Sequence, residues 1–389
     1  MNNQQPGQHL NRRTILGGGT ALAGAGLAGI LAGCTPANPR PSSSSSLASA
    51  APSAPLKEPH VVLLGINGGP GWYPKVQPAG ISTAIVVGDA TYVVDVGDRA
   101  PDQYMIANPN GNKEYEEFST LRGLFLTHLH SDHTIEYFKM FNYGWWNGLN
   151  LVKDPVKVMG PGRRKTLPPA FDEDKVPEPA SPKNPMPGTV DMTNSVFDAY
   201  ATDINDRVRD NGFINLRDLV DVEDIKIPGY EVGLETKKHM PEMDPFDIYE
   251  DDRVKVSAIL VDHYPVFPAF AFRFDTDGGS VVISGDTGPT PNIGKIAQGA
   301  DMLLHEVIDD EWVDTVYKDD PGIRQHLFAA HTSASTLGKI AEDAGVGQLV
   351  LTHLVPSEPP LSRFDAASKG FSGKFHVGKD LDRLPLKAR

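Results

Sequence analysis

The chain has 389 residues, of which 36 are lysine or arginine and 50 are aspartate or glutamate, so its formal net charge is −14 at pH 7. Because nucleic acids are bound through positively charged surfaces, this acidic balance argues against RNA or DNA as a partner. A single cysteine excludes an intramolecular disulfide. The length is sufficient for one large α/β domain, or for a fused pair of halves, behind an N-terminal extension.

The N-terminal segment resembles a bacterial export signal. Arg12 and Arg13 precede a stretch rich in Gly, Ala, Leu and Ile that is uncharged up to Arg40, a pattern typical of twin-arginine signals. The segment ends in Leu-Ala-Gly-Cys at Cys34, which resembles a lipobox. This resemblance implies that residues 1–33 are cleaved as a signal peptide and that Cys34 is lipidated. We therefore expect an exported, membrane-anchored lipoprotein facing the periplasm or the cell exterior, with an uncleaved membrane helix as the alternative.

The segment that follows, residues 34–59, consists mostly of Pro, Ser and Ala. So few apolar residues cannot form a core, and this composition is typical of a flexible linker. We expect residues 60–389 to form the folded domain. Its first apolar runs, 61–65, 82–87 and 91–97, predict strands.

Asp95 lies at the end of the third predicted strand. An acid at this position could accept a hydrogen bond from the outer nitrogen of a metal-bound histidine and so fix its tautomer. A turn carboxylate at a strand end is equally compatible with the local sequence.

The most informative stretch is the sequence Phe-Leu-Thr-His-Leu-His-Ser-Asp-His at 125–133. Side chains alternate along an extended strand, so His128 and His130 point the same way and can share one ion. Asp132 and His133 lie at the corner before a predicted helix, where they can face a second ion. Imidazole and carboxylate groups suit zinc or a similar metal. A chance cluster of polar residues on a loop is the alternative.

The region behind this cluster carries two other features. Trp145 and Trp146 could wall an apolar substrate pocket or belong to the core. Residues 165–250 are rich in Pro and charged residues, with one helical pattern at 195–211. We expect this block to be an insertion that caps the site and carries specificity.

In the second half of the chain, several apolar strands each end in a histidine or an acid. The Asp-Gly pair at 277–278 between alternating apolar runs indicates a hairpin. The residues at or near the strand ends include His263, Asp286, Glu306, His331 and His353. Because α/β sheets bind ligands at the carboxyl ends of their strands, these residues are candidates for the same site.

In chain order, the motifs are His-x-His-x-Asp-His at 128–133, His263, Asp286 in Ser-Gly-Asp-Thr, Leu-His-Glu306, Ala-His331-Thr-Ser-Ala and His353 in Leu-Thr-His. This series resembles the metallo-β-lactamase superfamily, and in particular the branch that contains ribonuclease Z and the zinc arylsulfatases. The resemblance spans about residues 60 to 356, apart from the expected cap. It implies an α/β fold, the four-layer αβ/βα sandwich, with metals at one edge of its two sheets.

The resemblance also implies two divalent ions, with zinc the expected metal. One ion would be held by His128, His130 and His263, the other by Asp132, His133 and His353, and Asp286 would bridge them. Two cations at about 3.5–4 Å repel each other, and a shared carboxylate and hydroxide offset that repulsion. The metal-bound hydroxide would be the nucleophile.

His331 is not needed as a ligand. We expect it to protonate the leaving oxygen or to donate to the transition-state oxyanion, with Glu306 orienting it. Helix capping or core packing is the alternative. Asp132 is expected to relay a proton in addition to binding metal. The histidines without a motif match, expected to be solvated or to pack, are His60, His239, His305, His326 and His376.

The expected function is hydrolysis of small phosphodiester or sulfate esters. Bacterial ribonuclease Z carries a tRNA-gripping arm between the third histidine and the bridging aspartate, whereas His263 and Asp286 are separated by a single predicted hairpin. The alternatives are a lactonase or β-lactamase-type amide hydrolase using the same dinuclear site, ribonuclease Z-type tRNA 3′ processing, and a non-catalytic metal-binding lipoprotein. The oligomeric state is left open, with a homodimer as one option.

Overall fold

The computed structural model describes residues 55–164, 166–168, 170, 174–229 and 240–387. The strands within these residues are β1 (His60–Gly65), β2 (Ser82–Val87), β3 (Ala90–Val94), β4 (Leu121–Phe125), β5 (Val156–Gly160), β6 (Val220–Asp224), β7 (Phe246–Glu250), β8 (Val254–Leu260), β9 (Phe270–Thr276), β10 (Gly279–Ile283), β11 (Met302–Ile308), β12 (Gln348–Val355), β13 (Lys374–Val377) and β14 (Arg383–Pro385). The α-helices are α1 (Ala100–Ala107), α2 (Ser131–Thr134), α3 (Tyr137–Trp146), α4 (Thr189–Ala199), α5 (Ala201–Asp210), α6 (Pro291–Ile296), α7 (Asp310–Val316), α8 (Pro321–Ala330) and α9 (Ala334–Asp343). Short 3-10 helices lie at Glu117–Thr120, Leu149–Leu151, Leu216–Leu219 and Leu361–Ser368.

The strands form two mixed sheets of seven strands each. The first sheet has the order β14-β1-β2-β3-β4-β5-β6 and the second the order β13-β12-β11-β10-β9-β8-β7. In the first sheet the pairs from β14 to β3 are antiparallel and those from β3 to β6 are parallel. The second sheet repeats this plan, antiparallel from β7 to β10 and parallel from β10 to β13. The two sheets therefore follow the same plan, although the first takes its edge strand β14 from the C-terminal end of the chain.

The apolar runs form strands that are buried on both faces. Along β1, Val61 points into an inner core between the sheets and Val62 points into an outer core, as the alternation of side chains requires. In the inner core, Phe125 of the first sheet packs edge to face against Phe274 of the second, with ring centroids 5.3 Å apart. Burial on both faces explains why these strands appear in the sequence as continuous runs of apolar residues.

Helices cover the outer face of each sheet. α1 packs on β1 of the first sheet, and α6 and α9 pack on β8, β9 and β11 of the second. The predicted four-layer αβ/βα sandwich is therefore confirmed. Trp145 is buried in the outer core of the first half, and Trp146 packs against Phe213 with ring centroids 4.8 Å apart. The core alternative thus fits Trp145, whereas Trp146 is 45 % exposed and neither tryptophan lines the cavity at the sheet edge.

The range predicted as a cap, 165–250, has a different place in its described part. α4 packs against β6 and α3, and its buried residues Thr189, Thr193 and Phe197 recur at helical spacing, so this helix is part of the outer layer. β6 and β7 are the edge strands of the two sheets. These elements extend the sandwich because their apolar sides complete its cores.

None of the helices in the described part of the chain is long and apolar enough to span a membrane. The predicted signal peptide, the lipidation site at Cys34 and the predicted linker as far as residue 54 lie outside the described residues. Export and lipid anchoring therefore stay predictions.

Candidate metal centre

The candidate ligands meet at one edge of the sandwich, where strands from both sheets end. β4 leads through His128 and His130 into the short helix α2, which carries Asp132 and His133. The other candidates come from the second sheet: His263 after β8, Asp286 after β10, and His353 near the end of β12. Residues that are far apart in sequence come together because the strands of both sheets deliver them to the same edge.

Three histidines form the first group of donors. Nitrogen atoms of His128, His130 and His263 lie within 4.8 Å of one another. Nε2 of His263 is 3.3 Å from Nδ1 of His130. The other ring nitrogen of His263, Nδ1, is 3.0 Å from the carbonyl oxygen of Ala330, so it donates there and leaves Nε2 with a lone pair directed at the group.

Two carboxylates and two histidines form the second group, with donor atoms again within 4.8 Å of one another. Nε2 of His133 is 3.4 Å from Oδ2 of Asp132 and 3.3 Å from Oδ1 of Asp286. Nε2 of His353 is 3.4 Å from Oδ2 of Asp132 and 3.2 Å from Oδ2 of Asp286. Both imidazoles therefore face both carboxylates.

Asp286 also reaches the first group. Its Oδ2 lies 4.0 Å from Nε2 of His128 and 3.9 Å from Nε2 of His263. The carboxylate is 3 % exposed and lies between the two groups. This is the position that a bridging ligand would require.

The donor atoms fit two divalent cations. Nε2 of His128 is buried and has no hydrogen-bond partner among the described residues. Nε2 of His133 and Oδ1 of Asp286 are also buried, and although they lie 3.3 Å apart they make no hydrogen bond. Buried polar atoms are nearly always paired, so a cluster of metal-ligating atoms without hydrogen bonds is the pattern expected of a cation-binding site. Imidazole and carboxylate together suit zinc or another first-row metal.

The pKa values of His128, His263 and Asp286 are shifted in the directions that metal binding needs. Burial, followed by repulsion from neighbouring histidines, holds the pKa of His128 well below its ordinary value, and burial lowers the pKa of His263 to about 3. Neutral imidazole is the form that binds a metal. Burial opposes the charge on Asp286, but His353 and His133 outweigh it and hold the pKa of this carboxyl well below its ordinary value.

The pKa of His133 is shifted in the other direction. Burial opposes the charge on its ring, but the carboxylates of Asp286, Asp95 and Asp132 outweigh it and hold the pKa well above its ordinary value. Metal binding there must therefore displace a proton.

Asp95 supports the ring of His133. Its Oδ2 lies 2.8 Å from Nδ1 of His133, and its two oxygens accept hydrogen bonds from the backbone N–H and the hydroxyl of Thr127, both at 2.8 Å. Asp95 is 2 % exposed and has a left-handed backbone, with φ of 58°. The contact expected for a carboxylate behind a ligand histidine is thus present, and it leaves Nε2 of His133 to face the cluster.

Glu306 and His331 form a second buried carboxylate–imidazole pair. Oε2 of Glu306 lies 3.3 Å from Nδ1 of His331, while Oε1 accepts hydrogen bonds from the backbone N–H groups of Thr287 and Thr332. Burial opposes a charge on His331, but the Glu306 carboxylate outweighs it and raises the pKa of His331 to about 9. The ring of His331 stacks on that of His353, with centroids 5.8 Å apart, so it adjoins the metal centre.

A cavity of about 620 Å³ contains this centre. Its walls are aromatic: Trp72 and Tyr73 belong to the glycine-rich loop after β1, and Trp312, Tyr317 and Leu327 belong to the segment of α7 and α8. None of the described residues that line it is Lys or Arg, and none comes from the range 165–250 that was predicted as the cap. The wall opposite the loop is therefore the segment between Glu306 and His331.

His326 of α8 is a site residue that the sequence prediction missed. It was expected to be solvated or to pack, but it lines the cavity, with its ring centroid 6.2 Å from that of His263 and 6.4 Å from that of His331. The only signal in the sequence is a helical pattern that runs directly into His331. Of the other unmatched histidines, His60 and His305 are buried in strands, His376 pairs with Asp382, and His239 lies outside the described residues.

No family model matches the chain. In sequence it is 29% identical over 332 residues to a ribonuclease Z of Mycobacterium bovis, covering 85% of this chain and 99% of that protein. It is also 28% identical over 334 residues to ribonuclease Z of Mycobacterium marinum, covering 85% of this chain and 99% of that protein.

Solved structures show the same fold. Human tRNase Z, short form, has a TM-score of 0.52 at 16% identity, covering 85% of this chain and 100% of that chain. The metallo-β-lactamase fold protein YhfI of Bacillus subtilis has a TM-score of 0.51 at 17% identity, covering 84% of this chain and 98% of that chain. The chain therefore has the metallo-β-lactamase fold, with a candidate dinuclear metal centre at the sheet edge. The ribonuclease Z part of the predicted resemblance is confirmed, and the arylsulfatase part stays a prediction.

Proposed function

We propose that this chain is a metal-dependent hydrolase that cleaves small phosphodiester or sulfate esters. The observation that carries the proposal is the pair of donor groups joined through Asp286 within a cavity of about 620 Å³. This volume suits a small-molecule substrate. The relatives named ribonuclease Z are, by that name, enzymes that cleave RNA, which supports a phosphodiester as the bond type.

The two donor groups would hold the ions, with Asp286 shared between them, and zinc is the metal that suits them best. When bound, the ions would lower the pKa of a water molecule and stabilise negative charge on the ester oxygens. His331 would supply a proton to the leaving oxygen. Its Nδ1 faces Glu306, so Nε2 is the ring nitrogen that is left to donate. Asp132, within reach of both His133 and His353, would relay a proton.

A small ester is favoured over RNA for two reasons. The chain between His263 and Asp286 contains only the hairpin of β9 and β10, which leaves no length for a tRNA-binding arm there. In addition, none of the described residues lining the cavity is Lys or Arg, and the formal net charge of the chain is −14. A polyanionic backbone requires the opposite electrostatics.

A lactonase or β-lactamase-type amide hydrolase is the second candidate. The apolar side chains of Trp312, Leu327 and Val355 in the cavity wall would suit an acyl chain as well as an aryl group. The same metal chemistry would act on a carboxylic ester or amide. Turnover of an acyl-homoserine lactone or of nitrocefin would favour this candidate.

The test uses the purified chain with bis-p-nitrophenyl phosphate and p-nitrophenyl sulfate, with and without a chelator. We expect turnover of at least one ester, loss of turnover on chelation and its return when zinc is added. Asp286→Asn should abolish turnover, whereas Asp382→Asn, which removes a carboxylate paired with His376 outside the centre, should not. Absence of chelator-sensitive turnover of both esters would overturn the proposal. A precursor tRNA added to the same assay would reveal RNA processing.

Export as a lipoprotein is proposed as well, from the sequence pattern before Cys34. Fatty-acid labelling in a bacterial host should mark the full chain and should not mark Cys34→Ser. Labelling of the variant, or an unlabelled wild type, would contradict this.

A further inference from the structure

A second cavity, of about 470 Å³, adjoins the metal cavity. The two share residues of the glycine-rich loop, Gly69 to Tyr73, and the ligand residue Asp132. The backbone N–H of Gly69 donates to Oδ2 of Asp132 at 3.1 Å, which joins the loop directly to the metal centre. A molecule whose reacting bond lies at the metals can therefore extend past Trp72 into this second cavity.

The second cavity is lined by large apolar side chains that are exposed to solvent. Trp72 is 77 % exposed and Ile135 is 64 % exposed, and Pro70 and Pro78 line the cavity with them. Single exposed apolar residues are common on protein surfaces. Several of them around one concave space beside a candidate catalytic centre form the kind of surface that binds an apolar group.

The charges in this cavity favour a neutral ligand. Arg99 is the only Lys or Arg among the described residues that line it, and the carboxylates of Asp98 and Asp132 lie in the same lining. The guanidinium of Arg99 donates to the carbonyl oxygen of Gln77 at 2.8 Å, so part of its hydrogen-bonding capacity is used. A planar guanidinium stacks on aromatic rings, and the indole of Trp72 offers a second flat face.

The loop around the cavity is held in place by hydrogen bonds. The side-chain amide of Asn67 donates to the carbonyl oxygens of Gly69 and Gly71, at 3.3 and 3.1 Å. At its far end, Oδ2 of Asp380 accepts the backbone N–H of Ala79 at 2.7 Å. The backbone of the loop is therefore already positioned when a ligand enters, which lowers the ordering cost of binding.

We propose that this second cavity binds a planar, neutral aromatic group of the substrate while the scissile ester lies at the metal centre. The inference rests on the proposed ester hydrolysis and specifies the class of substrate, an ester with an aromatic arm. An aryl leaving group and a nucleobase both have this chemistry. An aliphatic arm has no flat face that could stack on Trp72 or Arg99.

The test measures binding to the full chain, both as purified and after chelation, by ligand-observed NMR. This method does not depend on tryptophan fluorescence, which substitution of Trp72 would itself alter. The probes are phenol for an aryl group, adenosine for a nucleobase, and cyclohexanol as an apolar molecule that is not planar. We expect at least one aromatic probe to bind with or without metal, and cyclohexanol to bind at least tenfold more weakly.

Three variants locate the binding. Trp72→Ala should lower the affinity for the aromatic probe about tenfold, as expected when one stacking partner is lost. Trp72→Phe should restore most of the affinity. Trp146→Phe is the matched control, since Trp146 lies against Phe213 and Arg207 and lines neither cavity. Because Trp72 is exposed, its replacement should not unfold the chain.

The outcomes separate this inference from the proposed function. Equal affinity of the aromatic probe for wild type and Trp72→Ala, or equal affinity of cyclohexanol and the aromatic probes for wild type, would overturn the inference even if esters are hydrolysed. If an aromatic probe binds in a way that depends on Trp72 but no ester is hydrolysed, the second cavity is supported as a binding site for aromatic groups and the proposed ester hydrolysis is overturned. The aromatic probe that binds with higher affinity identifies whether the aromatic group is an aryl leaving group or a nucleobase.

Discussion

Gly68 lies directly against the ring of His353. A side-chain carbon at Gly68 would be 2.6 Å from Nδ1 of His353 and 2.7 Å from Cγ2 of Val355, closer than side-chain carbons approach other atoms. His353 has φ of 44°, and its Nε2 faces Asp132 and Asp286. The ring has little freedom to move away without losing this alignment. Only glycine therefore fits at position 68 while His353 faces the second donor group.

Gly68→Ala should weaken metal binding by the donor group that contains His353 more than binding by the three histidines. With two equivalents of zinc supplied per chain, we expect about one bound equivalent per chain in the variant and two in wild type, measured by mass spectrometry under native conditions. Gly294→Ala is the control, because nothing lies within 4 Å of a carbon added there in α6. This control should keep both metals and gain up to about 1 kcal/mol from helix propensity. Two equivalents of unchanged affinity in Gly68→Ala would show that the His353 ring is not confined.

Asp95→Asn should reduce zinc affinity about 10- to 100-fold, the usual effect of losing the carboxylate behind a ligand histidine. Asparagine tolerates the left-handed backbone at this position, where φ is 58°, so the change isolates the loss of charge toward His133. Affinity is measured by competition with a chromophoric chelator. Asp382→Asn, which alters the partly buried pair with His376 outside the centre, should leave zinc affinity unchanged. Wild-type affinity in Asp95→Asn would show that the pair serves only folding.

The parts of the fold that the sequence predicted depend on local patterns. A buried strand followed by a polar residue can be recognised in the sequence, so several strands and the candidate residues His263, Asp286 and His353 at or near strand ends could be expected from local pattern. The four-layer sandwich and the grouping of the ligands around two ions were implied by the family resemblance. The distances between these residues follow from the pairing of strands within each sheet. The positions that could not be predicted are those that depend on how distant segments pack.

The wall of the metal cavity is the clearest example. The Pro- and charge-rich character of 165–250 predicted a cap there, whereas α4 and β6 in that range complete the first half of the sandwich. The wall comes from α7 and α8, whose helical pattern does not indicate which face meets the centre. His326 was missed for the same reason. Its role near the metals follows from the packing of α8 and not from a motif.

His326→Ala should raise KM for small esters at least threefold and leave zinc content unchanged. His326 lines the cavity near His263 and His331, but it is not in either donor group. Loss of a hydrogen-bonding side chain at this position removes a contact to bound substrate, a loss of about 1 kcal/mol. His376→Ala, outside the cavity, should not change KM. An unchanged KM in His326→Ala would assign this residue to packing.

His331→Ala should slow the hydrolysis of esters with poor leaving groups more than the hydrolysis of esters with good leaving groups. A general acid contributes about 10²- to 10⁴-fold when the leaving oxygen needs a proton. We therefore expect a much larger loss of kcat for diphenyl phosphate than for bis-p-nitrophenyl phosphate, with zinc content unchanged. Glu306→Gln should show the same selectivity in weaker form, because Glu306 acts through its contact with Nδ1 of His331. Equal losses for both esters would contradict the acid role.

Asp380 ties the C-terminal segment to the base of the glycine-rich loop. Its carboxylate accepts the backbone N–H groups of Ile66 and Ala79, at 3.2 and 2.7 Å. Burial nevertheless raises the pKa of Asp380 to about 6, above its ordinary value of 3.8. The folded protein therefore keeps a proton on this carboxyl that the unfolded chain releases. Stability from this group is present at low pH and is lost as the pH rises through about 6.

The prediction is that the unfolding free energy of wild type, relative to Asp380→Asn, falls by about 2 kcal/mol between about pH 4.5 and about pH 7.5. Asparagine cannot ionise, so the difference between the two proteins isolates the titration of position 380 from that of every other group. Urea denaturation of metal-depleted samples measures it, because metal binding to the histidines would add its own pH dependence. A difference between wild type and Asp380→Asn that stays constant over this range would show that the hydrogen bonds from Ile66 and Ala79 keep the carboxylate ionised in the folded protein.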